Sequence, residues 1–138
     1  MSQHALANAE LAVMELLWEH GRLTARDLRE RLYPDDGKAQ HGTVQRLLAR
    51  LEEKAFVERE REAGVWRFSP RVSKEQYASG QLEALAERLS GGSLAPLLTH
   101  LVESRRISRE EIERLRGVLD ASDDDSKDEL NGEGEERA

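Results

Sequence analysis

The sequence predicts a mainly α-helical chain with one small β-hairpin wing: a winged helix-turn-helix followed by a C-terminal helical region. Two observations predict this fold class. Residues 9–54 carry three segments with apolar side chains at helical spacing, and residues 56–69 then alternate with a period of two around a glycine. Three helices followed by a hairpin is the order of elements in a winged helix-turn-helix.

The first two helices are predicted from their end residues and their apolar spacing. Asn8 is a typical N-cap for a helix that ends before Gly21. Thr24 and Asp27 form a near capping box for the second helix, which the Pro-Asp-Asp-Gly segment at 34–37 stops. The apolar faces carry Leu11, Met14 and Trp18 in the first helix, and Ala25, Leu28 and Leu32 in the second.

The third helix, residues 42–54, has one apolar face and one face with polar and basic side chains. Its apolar stripe consists of Val44, Leu47, Leu48 and Leu51. Its other face carries Thr43, Gln45, Arg46 and Arg50. Such a helix can pack on its own domain with one face and offer hydrogen-bond donors to base edges with the other. We therefore predict that it reads nucleic acid; the alternative is a structural helix with solvated arginines.

The net charge of −7 belongs to the end of the chain and not to this helix. Residues 120–138 contain nine acidic and two basic side chains, so they carry −7, and residues 1–119 balance 19 basic against 19 acidic groups. From Lys38 to Arg50 there are three cations and no anion. Because the local field governs contact with phosphate, this segment is compatible with DNA binding.

A hairpin wing is predicted after the third helix. Its strands are residues 56–61 and 65–69, joined by a loop of three residues, Glu62 to Gly64, in which Gly64 supplies the positive φ. The candidate phosphate-binding residues of the wing are Arg59, Arg61 and Arg67. The neighbouring Glu58, Glu60 and Glu62 would partly cancel their field, so the sequence leaves wing contacts open.

The predicted domains are a winged helix-turn-helix at residues 1–72, a helical dimerisation domain at 73–119 and a disordered acidic tail at 120–138. Capping residues mark three helix starts: Ser73 with Gln76, Ser93, and Ser108 with Glu111. Three short helices bury little on their own, so their leucine density favours an interface between two copies over a core within one. The candidate dimerisation residues are Leu82, Leu85, Leu89, Leu94, Leu97, Leu98, Leu101, Val102, Ile112, Leu115 and Leu119.

Other classes of function find little support. There is no cysteine, which excludes disulfides and thiolate metal sites, and the four histidines are widely scattered. No nucleophile–base pattern, phosphate-binding glycine loop or calcium loop is present, so we predict no enzyme activity, metal or cofactor. No apolar run is long enough for a membrane span and the N-terminus has no signal pattern, so we expect a cytoplasmic protein.

The order and spacing of several residues resemble the penicillinase and methicillin-resistance repressor family (BlaI/MecI), which includes copper-responsive CopY-type repressors. The resemblance covers roughly residues 6–119. The residues that carry it are Ala9-Glu10, Val13-Met14 and Trp18; Thr43-Val44, Leu47-Leu48, Arg50-Leu51 and Lys54; Phe56-Val57; and Val102-Glu103, Ser108, Glu111-Ile112 and Leu115.

This resemblance implies a homodimeric repressor that binds palindromic DNA operators through its winged helix and dimerises through its C-terminal helices. It places Thr43, Gln45 and Arg46 at positions that face the major groove, with Gly42 where the family often has a basic residue. The candidate DNA-binding residues are then Lys38, His41, Gly42, Thr43, Gln45, Arg46 and Arg50, with Arg59, Arg61 and Arg67 in the wing.

The chain departs from the family pattern at several points. Antibiotic-responsive members are released when a sensor-dependent protease cuts an Asn-Phe bond, and the matching pair here is His100-Leu101. CopY-type members use a C-terminal cysteine motif, which this chain lacks. The protease is therefore only a candidate partner, and the releasing signal is unassigned. Ala55 stands where glycine is usual before the wing.

The predicted function is a dimeric DNA-binding transcriptional repressor that recognises an inverted-repeat operator through residues 42–54 in the major groove. The alternative is a winged-helix protein-interaction module whose leucine-rich helices or acidic tail bind a protein. A third idea, compatible with the first, is that the acidic tail repels non-specific DNA and so sharpens the choice of operator.

Overall fold

The computed structural model describes the backbone of residues 5–136 and the side chains of residues 5–123. In chain order the elements are α1 (Asn8–His20), β1 (Leu23–Thr24), α2 (Ala25–Leu32), a short 3₁₀ helix (Gly37–Gln40), α3 (His41–Glu53), β2 (Val57–Glu62), β3 (Val65–Pro70), α4 (Lys74–Ser90), α5 (Ala95–Glu103) and α6 (Arg109–Glu136). The predicted fold class, mainly α-helical with a hairpin wing, is confirmed. Within the described residues, none of the helices is long and apolar enough to cross a membrane.

The three strands form one antiparallel sheet in the order β1-β3-β2. Glu62 at the end of β2 pairs with Val65 at the start of β3, so the loop consists of Ala63 and Gly64 alone. Both loop residues have positive φ, 53° and 80°, as the favoured two-residue hairpin turn requires. The predicted three-residue loop is therefore wrong by one residue, because Ala63 adopts a left-handed conformation that alanine rarely takes.

One hydrophobic core joins the first three helices to the sheet. All four apolar side chains of the α3 stripe are buried in it, as predicted. Thr24 caps α2, where its hydroxyl accepts from the Asp27 N–H at 3.0 Å and the Asp27 carboxylate accepts from the Thr24 N–H at 3.1 Å. The core residues are Leu6, Val13, Met14, Leu17, Leu23, Leu28, Val44, Leu47, Leu48, Leu51, Phe56, Val57 and Phe68.

The start of α4 packs on this core. The ring of Tyr77 lies 6.0 Å from that of Trp18 and 5.9 Å from that of Phe56, centroid to centroid. The Tyr77 hydroxyl accepts a hydrogen bond from the Leu6 N–H at 2.9 Å. The Trp18 indole N–H in turn donates to the Val72 carbonyl at 2.8 Å. These contacts tie the chain after the wing to the first helix.

The chain divides into two compact units, residues 1–88 and 89–138. The sequence predicts a boundary after residue 72. In the structure, most of α4 instead belongs to the first unit. The reason is the set of aromatic contacts made by Tyr77, which join residues far apart in the sequence. Spacing within the helix alone does not reveal such contacts.

The second unit contains α5 and α6, whose ends differ from the predictions. The N-cap of α5 is Leu94, which forms no capping bond, and not the predicted Ser93. The predicted capping box at the start of α6 is present, since the Ser108 hydroxyl accepts from the Glu111 N–H at 3.2 Å and the carboxylate accepts in return. The backbone of α6 continues to Glu136, where the sequence predicts a disordered tail from Asp120. Few helix-breaking residues follow Asp120, so the backbone can continue as helix.

Candidate nucleic-acid interface

The predicted DNA-binding residues of the third helix lie together on the solvent side of α3 and of the 3₁₀ helix before it. We call this surface the reading face. It consists of Lys38, His41, Gly42, Thr43, Gln45, Arg46 and Arg50, all exposed or half-buried. The apolar stripe on the opposite side of α3 is buried, so the helix turns its polar residues outward because its apolar ones pack on the core.

The cations of the reading face form no ion pair with a carboxylate of the described residues. Lys38, Arg46 and Arg50 take no part in the ion pairs formed among residues 5–123. Gly42 leaves space beside Arg46, since a Cβ added there would lie 3.8 Å from the Arg46 Nη1 atom. A guanidinium without a partner can bind an anion without first breaking an internal ion pair.

A side-chain contact links the first two turns of the reading face. The His41 Nε2 atom lies 3.2 Å from the Gln45 Nε2 atom, one helical turn further on. The other ring nitrogen of His41, Nδ1, is buried and has no hydrogen-bond partner among the described residues. No group of three His, Asp or Glu side chains within the described part of the chain could hold a metal ion.

A partly buried ion pair anchors α3 to α1. The Lys54 ammonium donates to both carboxylate oxygens of Glu10, at 3.1 and 2.9 Å, and Glu10 is only 3% exposed. Burial raises the pKa of Glu10, but the hydrogen bonds from Lys54 and the Ala7 N–H, with the charges of Lys54 and Arg50, outweigh it. The pKa therefore lies below its ordinary value of 4.5. This pair connects the start of α1 to the end of α3, the helix that carries most of the reading face.

The chain leaves α3 through a left-handed residue that is not glycine. Ala55 has a φ of 65°. Its N–H donates to the Glu52 carbonyl at 3.0 Å, and the Phe56 N–H donates to the Leu51 carbonyl at 2.8 Å. These two bonds form a Schellman motif, which normally has glycine at this position. The sequence difference at Ala55 therefore does not alter the type of turn that leads into the wing.

One face of the wing carries two arginines against an exposed tryptophan. Arg61 lies directly opposite Trp66 in the strand register, and Arg59 is on the same face. The guanidinium carbons of Arg59 and Arg61 lie 4.7 and 5.7 Å from the Trp66 ring centroid, within the range of cation–π attraction. Arg59 also pairs with Glu52 of α3 at 3.2 Å. We call Arg59, Arg61 and Trp66 the wing cluster.

The opposite face of the wing is a network of neutralised charges that includes Arg67. Arg67 pairs with Glu62 at 3.3 Å, and Arg22 pairs with Glu60 at 2.7 Å and with Glu62 at 3.2 Å. The register puts Arg67 on the sheet face opposite that of Arg59. The structure thus separates Arg67 from the two other predicted wing residues. It also places Glu58, Glu60 and Glu62 on the face opposite the wing cluster, so that Glu52 of α3 is the carboxylate that pairs with Arg59 there.

Two residues of this surface, Trp66 and Arg22, are absent from the sequence-based list of candidates. A period-two reading of the strands gives the faces, but the partner of each residue depends on loop length. With the two-residue loop, Arg61 falls opposite Trp66. The Arg22 pairs join residues 38 and 40 positions apart, so spacing along the chain gives no sign of them.

A model of the penicillinase repressor family matches residues 6–121. The chain belongs to the penicillinase repressor family. Members of this family are transcriptional repressors and not enzymes, so the predicted class, a DNA-binding transcriptional repressor, and the resemblance on which it partly rests are confirmed.

Individual relatives of this penicillinase repressor family member are distant in sequence but match along most of their length. The penicillinase repressor of Bacillus licheniformis is 24% identical over 115 residues, 83% of this chain and 89% of that protein. The methicillin resistance regulatory protein MecI of Staphylococcus aureus (strain N315) is 22% identical over 116 residues, 84% of this chain and 94% of that protein. Among solved structures, the DNA-binding domain of the repressor BlaI matches with a TM-score of 0.47 at 24% identity, covering 55% of this chain and 92% of that one.

The predicted dimerisation residues of this family member are mostly solvent-exposed in the single chain. Leu82 and Leu89 of α4 are 52% and 67% exposed, and Leu119 of α6 is 63% exposed. Leu85, Leu97 and Ile112 are half-buried. Among residues 89–123, no side chain is buried. Within residues 89–123, the apolar side chains of the second unit are therefore exposed or half-buried.

Proposed function

We propose that this chain acts in the cytoplasm as a homodimeric repressor that recognises an inverted-repeat operator, with α3 of each copy in the major groove of one half-site. Repression then follows from steric exclusion of RNA polymerase. The observation that carries the proposal is the division of α3 into a buried apolar stripe and a reading face with unpaired cations. An α-helix fits the major groove, where each base pair presents a distinct pattern of donors and acceptors.

Three side chains of the reading face are assigned to the DNA on the basis of their chemistry. Arg46 binds a guanine edge or a phosphate, and Gln45 binds an adenine or a phosphate. Thr43 contacts a phosphate or a thymine methyl group. Lys38 and Arg50 flank these three, and as cations without partners they are suited to phosphate contact.

The wing cluster supports a second contact, with the DNA backbone. Stacking against Trp66 holds the guanidinium groups of Arg59 and Arg61 in place, so fewer rotamers are lost when they bind phosphate. Arg67 is engaged by Glu62 on the other face. Arg59 is also engaged, by Glu52 at 3.2 Å, so we assign the phosphate contact first to Arg61, with Arg59 beside it on the same face. Arg67 is omitted from the proposed site because it lies on the other face of the sheet.

The exposed apolar side chains of α5 and α6 support dimerisation. A second copy supplies a surface of the same chemistry, and a two-fold pair presents two reading faces in the symmetry that an inverted repeat requires. We do not extend the proposal to release by a sensor-dependent protease, because His100-Leu101 replaces the Asn-Phe pair that the family resemblance implies.

The test is selection of binding sites from a random duplex pool by the purified full-length chain, followed by titration of the selected site. We expect an inverted repeat. Arg46→Ala relaxes the preference at one base pair of each half-site by roughly fivefold to 150-fold, since a bidentate contact discriminates by about 1–3 kcal/mol. Arg109→Ala, which removes an exposed arginine of the second unit, is the matched control and leaves the preference unchanged.

Other outcomes contradict parts of this proposal. If Arg46→Ala weakens binding to every sequence equally, Arg46 is a phosphate contact and not a base reader. If neither the full-length chain nor residues 1–119 shifts DNA in a gel, the protein-interaction module is the better description. Tighter but less selective binding by residues 1–119 would support repulsion of non-specific DNA by the acidic tail.

A further inference from the structure

The contact between His41 and Gln45 determines which end of the Gln45 amide faces His41 and which end faces away from it. The two side-chain nitrogens lie 3.2 Å apart, so a hydrogen bond between these side chains needs one donor and one acceptor. A neutral imidazole carries a proton on one ring nitrogen only. Two arrangements are therefore open, and they direct the amide in opposite senses.

In the first arrangement His41 Nε2 accepts a hydrogen bond from the Gln45 amide NH2. The imidazole proton must then reside on Nδ1. That atom is buried without a hydrogen-bond partner among the described residues. A buried N–H group without an acceptor is rarer in proteins than a buried acceptor without a donor.

In the second arrangement the imidazole proton is on Nε2, and His41 donates. The acceptor must then be the Gln45 Oε1 atom, which reaches the same place when the amide makes a half-turn about its last side-chain bond. Nδ1 is left unprotonated, which avoids a buried N–H group without a partner. The rarity of buried N–H groups without an acceptor therefore favours this second arrangement, in which the Gln45 NH2 group points away from His41.

We infer that His41 is a positioning residue that holds the Gln45 amide with its NH2 group toward the DNA, so that Gln45 selects a base edge rich in hydrogen-bond acceptors. This inference rests on the proposed function, in which the reading face enters the major groove. Guanine offers two acceptors there, N7 and O6, whereas adenine offers one acceptor and one donor. The preferred base at the Gln45 position is therefore guanine, and not the adenine that side-chain chemistry alone assigns to a glutamine.

The first experiment measures the tautomer of His41 in the free, full-length protein by ¹⁵N NMR of the imidazole nitrogens. His41→Ala assigns its signals among those of the four histidines. We expect the shift of a protonated nitrogen for Nε2 and that of an unprotonated one for Nδ1. A proton on Nδ1 would overturn the inference whether or not the protein binds DNA.

The second experiment selects binding sites from a random duplex pool with four full-length proteins. These are the unsubstituted chain, Gln45→Ala, His41→Ala and the control His20→Ala, which removes a histidine at the end of α1. Gln45→Ala identifies the base pair that Gln45 reads. His41→Ala lowers the preference for guanine at that same base pair by about fivefold, the value of one hydrogen bond, and leaves the other positions unchanged. His20→Ala changes nothing.

The outcomes separate this inference from the proposed function. Adenine at the Gln45 position, or an unchanged guanine preference in His41→Ala, overturns the positioning role while the proposed function stands. An equal loss at all positions in His41→Ala shows a merely structural role, and thermal melting of that variant identifies the loss of fold. If the unsubstituted chain selects no sequence, the proposed function fails. The NMR measurement then still shows whether His41 donates its Nε2 proton to Gln45.

Discussion

The two units of this chain differ in how they bury apolar surface. In the first unit thirteen side chains from Leu6 to Phe68 form a core around α1, α2, α3 and the sheet. In the second unit no side chain between residues 89 and 123 is buried, and Leu98 and Val118 are 48% and 67% exposed. At about 25 cal/mol per Å² of apolar surface, such side chains lose most of their stabilising contribution while they face water.

This difference predicts that the first unit is stable by itself and that, in the proposed dimer, the second is stabilised by the other copy. The reading face lies on the first unit, so its geometry does not require a second copy. Selection of an inverted repeat does require one. In the proposed function, recognition of a half-site and choice of the full operator are thus carried by different parts of the molecule.

The largest expected effect comes from a charge placed on the apolar surface of α5. Leu98→Asp should weaken the dimer by roughly 30-fold or more, because loss of an interface hot spot costs about 2 kcal/mol. Analytical ultracentrifugation over a range of concentrations measures this change. Operator affinity should fall with it, and far-UV circular dichroism should show that the winged helix stays folded.

Thr99→Asp is the matched control for Leu98→Asp. It introduces the same charge one residue further along α5, at an exposed position outside the apolar spacing. We expect no change of association state in this variant. Equal effects of the two substitutions would show that charge on the second unit, and not loss of apolar contact, controls assembly.

A smaller effect is expected within the first unit, at the ion pair that anchors the reading helix. Lys54→Ala leaves the Glu10 carboxylate nearly buried without its partner, and should lower the free energy of unfolding by about 1–3 kcal/mol. Arg26→Ala breaks an exposed pair with Glu30 and should cost less than about 0.5 kcal/mol. Urea unfolding of the two variants measures the difference, which vanishes if burial of Glu10 has no energetic role.

Glu10 of this ion pair, together with Asp27 at the start of α2, makes the stability of the fold depend on pH. The pKa values of Glu10 and Asp27 lie below their ordinary values of 4.5 and 3.8 in the folded chain, so the unfolded chain binds more protons near these values. Stability is therefore full above about pH 5 and falls as the pH drops through 4.5 and below. In Lys54→Ala the contribution of Glu10 to this fall is lost, and the acid limb of the stability curve becomes shallower.

The smallest effect concerns a type of helix-ending turn that is found in both units, at Ala55 in the first and at Arg105 in the second. Ala55 and Arg105 occupy the same position of a Schellman motif, with φ values of 65° and 59°. Ala55→Gly should raise the unfolding free energy of the first unit by about 0.5–1 kcal/mol, because relief of left-handed strain exceeds the entropy that glycine loses. Arg105→Gly should instead strengthen the dimer, by about twofold to fivefold. Hydrogen exchange of the two full-length variants distinguishes a gain in protection of the first unit from a gain in the second. If both variants gain protection in the same residues, the division into an independent and a partner-dependent unit is contradicted.

Most of the fold could be predicted because its signals are local. The α3 stripe, the capping box of Thr24 and Asp27 and the period-two strands all depend on residues within one or two turns. The structure differs from the predictions where contacts between distant residues decide. Tyr77 draws α4 onto the first unit through contacts with Trp18 and Phe56, and the two-residue wing loop depends on an alanine in a glycine-like conformation.

The candidate site was predictable in composition but not in arrangement. Helical spacing places Gln45 and Arg46 on one surface with His41. It does not show that Arg67 lies across the sheet from Arg59, because sheet faces follow from register and register from the loop. Nor does it show the pairing of Glu10 with Lys54, 44 positions apart. Electrostatic partners in this chain are set by tertiary structure.

The placement of the two tryptophans equips the protein with optical probes of its own. Trp18 is half-buried and hydrogen-bonded to Val72 inside the first unit, whereas Trp66 is 42% exposed at the wing. Nucleobases and phosphates that approach the wing would alter the emission of Trp66 alone, and Trp18 would serve as an internal reference. Wing engagement can thus be followed in real time without a label, separately from docking of the helix.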